Sequence, residues 1–129
     1  MPQKVVIAAS ASNQEEVKKW VDYWVGGGFN VIDWPVPAGD NFFELYPEIH
    51  KKFFKNIVDC DILFVANYDK NDMVGYIGAE TFAELAFAVT QNLINNKNIK
   101  VILAKMPSGK VQSFDEVNNW SKLGWLEFF

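Results

Sequence analysis

Arginine is absent from this chain, and cysteine and histidine occur once each, as Cys60 and His50. The missing arginine removes the planar fork that grips phosphate and carboxylate groups bidentately. Net charge is −4 and the lysines are scattered, so no basic stripe exists and no duplex nucleic-acid partner is expected. A single cysteine excludes an intrachain disulfide and a cysteine-paired metal site; no metal and no cofactor are expected. A lone histidine without a Ser-His-Asp or Cys-His pairing reads as structural, and Cys60, just before an apolar run, reads as inert. No apolar run is long enough to span a bilayer. The opening residues, Met1 to Ile7, lack the apolar core of a secretory leader. A soluble cytoplasmic protein with no membrane contact is the expectation.

What is present is core-forming material. Half of the 129 residues are hydrophobic and 16% are aromatic, which suffices for one buried core and one domain, residues 1–129. Apolar runs alternate with helix-periodic segments. Strands are expected at Val5–Ala9, Phe29–Trp34, Asp61–Ala66, Ile99–Ala104 and Trp125–Phe129. Between them, Ser12 and Glu15 have capping-box spacing ahead of Val17, Trp20, Val21 and Trp24, which repeat on one helix face. Gly26 to Gly28 end that helix. Pro35 to Phe42 reads as a loop, and a second helix is expected from about Pro47. A third runs from Glu80 to Asn95 and a fourth from Phe114 to Leu123. The alternation predicts an α/β, doubly wound, flavodoxin-like three-layer domain with a mostly parallel five-stranded sheet. Val5–Ala9 and Asp61–Ala66 are unbroken apolar runs and should be adjacent, central strands.

The segment from Gly75 to Ala88 carries the most chemistry. It follows the third strand and a polar turn, and it opens the long third helix. In open α/β folds a turn of this kind binds ligands. With Phe82 at zero and about 100° per residue, the expected core stripe is Phe82, Leu85, Ala86, Val89 and Leu93. Glu84 then falls at about 200° and Glu80 at about 160°, both away from the sheet, flanked by a seam of Phe87 and Ile94. The helix N-terminus favours their negative charge. The plain alternative is a pair of solvated acids. Ser10, Ser12 and Asn13 follow the first strand as a polar cradle, or Ser12 serves only as an N-cap. No G-x-G-x-x-G is present, so no dinucleotide fingerprint exists. Asn67 ends the third strand, where ligand contacts are expected. Asp69, Lys70 and Asp72 read as a solvated loop.

The layout resembles the nucleoside 2-deoxyribosyltransferase family and its nucleotide N-hydrolase relatives, most closely from Ile57 to Ala88. Cys60-Asp61-Ile62-Leu63-Phe64-Val65 is similar to one family segment, and Thr81-Phe82-Ala83-Glu84-Leu85-Ala86 to the Thr-x-x-Glu segment, with Ala86 where glycine is usual. The resemblance implies that Glu84 is a nucleophile that attacks the anomeric carbon of a nucleoside or nucleotide. Family aspartates fall on Gly78 and Phe53, so Glu80, one turn from Glu84, is the substitute acid. Ser10, Ser12, Asn67, Tyr76, Gly78 and Thr81 are the expected substrate contacts. The implied partner is a nucleoside-like small molecule. Phe87 and Ile94 would otherwise form an exposed apolar patch, so a homodimer or higher homo-oligomer using that seam is expected, and the resemblance supports it. Three classes stay open: an N-glycosidic-bond enzyme, a non-catalytic nucleoside-binding homo-oligomer of the same fold, and an assembly protein.

Overall fold

The apolar runs become strands that are covered on both faces. The computed structural model describes residues 2–129. The strands are β1 (Lys4–Ala8), β2 (Asn30–Asp33), β3 (Ile62–Val65), β4 (Lys100–Leu103) and β5 (Glu127–Phe128). They form one sheet in the order β2-β1-β3-β4-β5, with every neighbouring pair parallel. This is the flavodoxin-like strand order. As expected, β1 and β3 are adjacent and internal, and Val5, Val6, Ile7, Leu63, Phe64 and Val65 are wholly buried.

The helices are α1 (Gln14–Gly26), α2 (Phe42–Asp59), α3 (Ala79–Asn95) and α4 (Phe114–Lys122). Val5, Ile7, Ile62 and Phe64 pack under α1 through Val17 and Trp24. Val6, Ala8, Leu63 and Val65 pack under α2, α3 and α4 through Phe53, Ile57, Leu85, Ala88 and Val117. One helix thus covers a face that three cover opposite. Aromatic bulk fills the difference: Trp20 and Trp24 lie 4.5 and 5.4 Å from Phe64, and Phe129 lies 5.1 Å from Trp20. No helix among the described residues is long and apolar enough to cross a membrane.

Three local expectations are corrected. α1 is capped by Asn13, whose Oδ1 accepts from the Glu16 N–H at 3.2 Å, and not by Ser12 with Glu15. Asn is as good a cap as Ser, and the Ser12 hydroxyl is engaged elsewhere. α2 starts at Phe42, after a 3-10 turn at Gly39–Asn41, so Pro47 lies inside it. The proline forfeits one helical hydrogen bond. An i,i+4 ladder spans the break: Phe42 to Tyr46 at 5.4 Å, Tyr46 to His50 at 5.1 Å and His50 to Phe54 at 4.4 Å.

The third correction matters most. The buried stripe of α3 is Thr81, Glu84, Leu85, Ala88 and Val89, while Leu93 is exposed and Phe82 only partly covered. The small side chains Thr81 and Ala88 let the helix approach the sheet closely. The large ones point sideways to its neighbours. Phe82 stacks on Trp120 of α4 at 5.5 Å, and Phe87 meets Phe54 of α2 edge-on at 4.7 Å. The helix is therefore rolled relative to the expected stripe, and Glu84 turns from solvent to the flank facing α2. Phe87 is spent on an intramolecular contact, which leaves Ile94 as the exposed member of the expected seam.

Candidate functional site

A cleft of about 830 Å³ opens at the carboxyl ends of β1 and β2, between α2 and the start of α3. It lies beside the β1/β3 switch point, where chain connections leave in opposite directions. Ser10 and Ala11 line it from β1, and Asp33 to Pro37 from β2. Phe42, Tyr46, Ile49, His50 and Phe53 form the α2 wall. Lys70, Tyr76 and Gly78 come from the β3–α3 connection, and Glu80, Thr81 and Glu84 from α3. One end is aromatic and apolar; the other is polar and carries charge.

Glu84 stands at the second turn of α3 and is 6% exposed. Its carboxyl is pushed up to about 8, first by burial and then by the negative charges of Glu80 and Asp33. No hydrogen bond among the described residues relieves it. Glu80, in the first turn, is exposed.

The β3–α3 connection is built, not slack. Asn71 and Asp72 both adopt left-handed backbone, at φ of 55° and 59°. The N–H of Lys70 donates to the Met73 carbonyl at 3.1 Å, and the N–H of Met73 to the Lys70 carbonyl at 3.0 Å. Two left-handed central residues and this pairing are the marks of a type I′ turn, which Asn and Asp tolerate. Asp69 accepts from the Gly75 N–H at 2.9 Å and from Lys105 Nζ at 3.0 Å, and its carboxyl is held below its ordinary value by the Gly75 donor first and then Lys105. Gly75 is required by close approach: at φ +65°, a Cβ there would sit 2.9 Å from Pro107 Cα.

This scaffold aims Lys70, expected in a solvated loop, back over the site. Its Nζ donates to Ser10 Oγ and Ser12 Oγ, each at 3.0 Å, and lies 5.6 Å from the Tyr76 ring centre. Tyr68 donates its hydroxyl to the Ser10 carbonyl at 3.2 Å and shares a 3.0 Å hydrogen bond with Ser12 Oγ.

Of the residues expected from sequence, Ser10, Tyr76, Gly78, Glu80, Thr81 and Glu84 line the cleft. Ser12 does not; it anchors Lys70 at the rim. Asn67 does not either, and that expectation is corrected. It is 2% exposed, its Nδ2 donates to the carbonyls of Gly75 and Lys105, and its Oδ1 accepts from the Lys105 N–H. The amide cross-links two loops and does not line the cleft. His50, expected to be structural, lines the cleft within the α2 ladder. Cys60 is buried, with its thiol pushed up to about 12 by burial and then by Asp61.

Asp33 was missed. Its Oδ1 accepts from the Trp34 N–H at 2.9 Å, and its Oδ2 from Asn56 Nδ2 at 2.8 Å. The available signal was an acid closing the second strand, at the carboxyl edge where ligands bind. Among the described residues no group of three or more His, Cys, Asp or Glu side chains could hold a metal ion. Neither a protein-family model nor a curated protein matches this chain.

Proposed function

We propose that the protein cleaves or transfers at the N-glycosidic bond of a nucleoside or nucleotide, with Glu84 as nucleophile. The observation that carries this reading is the burial of the Glu84 carboxyl, without a hydrogen-bond partner, in a cleft at the carboxyl edge of the sheet. A poorly hydrated carboxylate has little solvent to shed before it attacks carbon. The cleft has the volume of a small-molecule site, typically about 300–1,000 Å³. Its aromatic wall of Trp34, Phe42 and Tyr46 suits a flat base. Its polar end, with Ser10, Lys70 and Tyr76, suits a hydroxylated or anionic group. The similarity of Thr81 to Ala86 to the transferase family's Thr-x-x-Glu segment supports the same role for Glu84.

A second reading is a non-catalytic nucleoside-binding protein, as a homo-oligomer of the same fold. Phe53 favours it: this side chain, 7% exposed, lines the cleft where the family carries an acid. Two measurements separate the readings. A thermal-shift screen with nucleosides, 2′-deoxynucleosides and nucleotides detects binding, because a ligand raises the melting temperature by mass action. Base release from hits, with and without an acceptor base, detects chemistry. Binding without release by the wild type supports the second reading, and turnover that survives Glu84→Gln overturns the first.

A further inference from the structure

Side chains along a strand alternate between the two faces of a sheet. In β1, Val5 and Ile7 pack under α1, while Val6 and Ala8 pack under the other three helices. Val31 of β2 pairs with Val5 and packs on the α1 side. Strict alternation would send Asp33 to that same side. Instead the register steps from Val5 opposite Val31 to Val6 opposite Asp33, which leaves Ile32 as an extra residue in β2. A bulge of this kind re-aims the residue that follows it. Asp33 takes the direction of Val6 and lines the cleft that holds Glu84.

Its carboxylate is then fixed from two sides, by its own following backbone N–H and by Asn56 of α2. Among the described residues Glu80 has no such support, and it is exposed. We propose that Asp33, not Glu80, is the acid–base carboxylate of this site, working with Glu84. The proposal rests on the reading of Glu84 as nucleophile. When substrate binds, the proton held on Glu84 passes to Asp33; in the first step a Glu84 carboxylate oxygen then bonds to the anomeric carbon while the carbon–nitrogen bond to the base breaks. The electron pair of that bond stays on nitrogen, which takes a proton from Asp33. In the second step the Asp33 carboxylate removes a proton from water, or from the ring N–H of an acceptor base, as that atom bonds to the anomeric carbon. As that bond forms the ester bond breaks, and its electron pair returns to Glu84. One proton leaves with the base and one arrives with the attacking molecule, so the two carboxyls begin and end with one proton between them. Burial of Glu84, beside the negative charges of Glu80 and then Asp33, gives the site one proton to hold before substrate arrives. The other titratable groups lining the cleft are Glu80 from α3, Tyr46, His50 and Lys52 from α2, and Lys70 and Tyr76 from the β3–α3 connection.

The test compares the intact wild-type chain with Asp33→Asn and Glu80→Gln. Glutamate-carboxyl NMR should show the Glu84 titration midpoint falling in Asp33→Asn. An unmoved midpoint shows that the two carboxyls do not face one another and overturns the proposal without any need for a substrate. Kinetics supply the role. Asp33→Asn should slow base release from ordinary nucleosides by ~10²–10⁴-fold. It should spare release from a 7-methylguanine nucleoside, whose base departs without a proton, and the Glu84 ester should then accumulate and be visible by mass spectrometry. Equal loss on both substrates reduces Asp33 to a structural residue. If Asp33→Asn does not fold, Asn56→Ala, which frees the carboxyl but keeps it, should show the same selective loss in milder form. No base release by the wild type refutes the reaction and the role together. Release by wild type that Asp33→Asn leaves untouched refutes the role alone.

Discussion

Phe82 stacks on Trp120 at 5.5 Å with ring planes 20° apart, and this contact ties the start of α3 to α4. On the same helix Phe87 reaches the other way, to Phe54 of α2. The two aromatic contacts bracket the roll of α3 and hold Glu84 on the flank that forms the cleft. Phe82→Ala should therefore destabilise the protein by roughly 2–3 kcal/mol, less than a fully buried phenylalanine would. It should also lower the Glu84 titration midpoint, because a looser helix admits water. Urea unfolding and carboxyl NMR check the two effects; a stability loss with an unmoved midpoint would separate packing from the burial of Glu84.

The raised carboxyl makes stability depend on pH with a definite sign. Glu84 is held at about 8 in the folded protein against an ordinary 4.5, so the folded state keeps a proton that the unfolded state has released. Its contribution is fully present below about 4.5 and is lost as pH rises toward about 8. The slope in that window is at most about 1.4 kcal/mol per pH unit, the value for one proton. Glu84→Gln should remove this slope and be the more stable protein at pH 8. Denaturant midpoints of the two proteins across about pH 5–9 provide the comparison, and parallel curves would contradict it.

Gly75→Ala should cost about 1–3 kcal/mol or more. The position needs φ of +65°, and the added methyl would meet Pro107 Cα at 2.9 Å and the Met106 carbonyl at 3.0 Å. The neighbours are backbone and cannot step aside cheaply. Because the same connection aims Lys70 and Tyr76, the variant should also lose thermal stabilisation by any ligand the wild type binds. Full retention of that stabilisation would mean that the connection does not shape the site.

Glu84→Gln should abolish turnover while keeping the fold, since the amide is isosteric but a far poorer nucleophile. Glu80→Gln should change turnover little, because Glu80 is exposed. Wild-type activity on common 2′-deoxynucleosides should be weak, because Gly78 and Phe53 stand where the resembling family has acids. Base release from deoxyinosine, deoxyadenosine and thymidine reads all three. A large loss in Glu80→Gln would restore the role that its one-turn spacing from Glu84 suggested.

Sequence alone determined the architecture and the neighbourhood of the site. Unbroken apolar runs such as Ile62 to Val65 demand cover on both faces, and their alternation with helix-periodic segments leaves a doubly wound parallel sheet as the economical solution. The turn before Thr81 and the acid at Glu84 then fall at the carboxyl edge by topology. Tertiary structure decided which side chains the site contains. The roll of α3 followed from packing small residues on the sheet and large ones on its neighbours, a choice that a hydrophobicity wheel cannot make because it ranks Phe82 above Ala88. Asp33 was redirected by a bulge that exists only in the pairing of β2 with β1. Lys70 was drawn in, and Asn67 was consumed, by hydrogen bonds between segments up to 60 residues apart. Periodicity reports the balance of water and core along one segment. Orientation within a cleft depends on contacts between segments, and those appear only when the chain has folded.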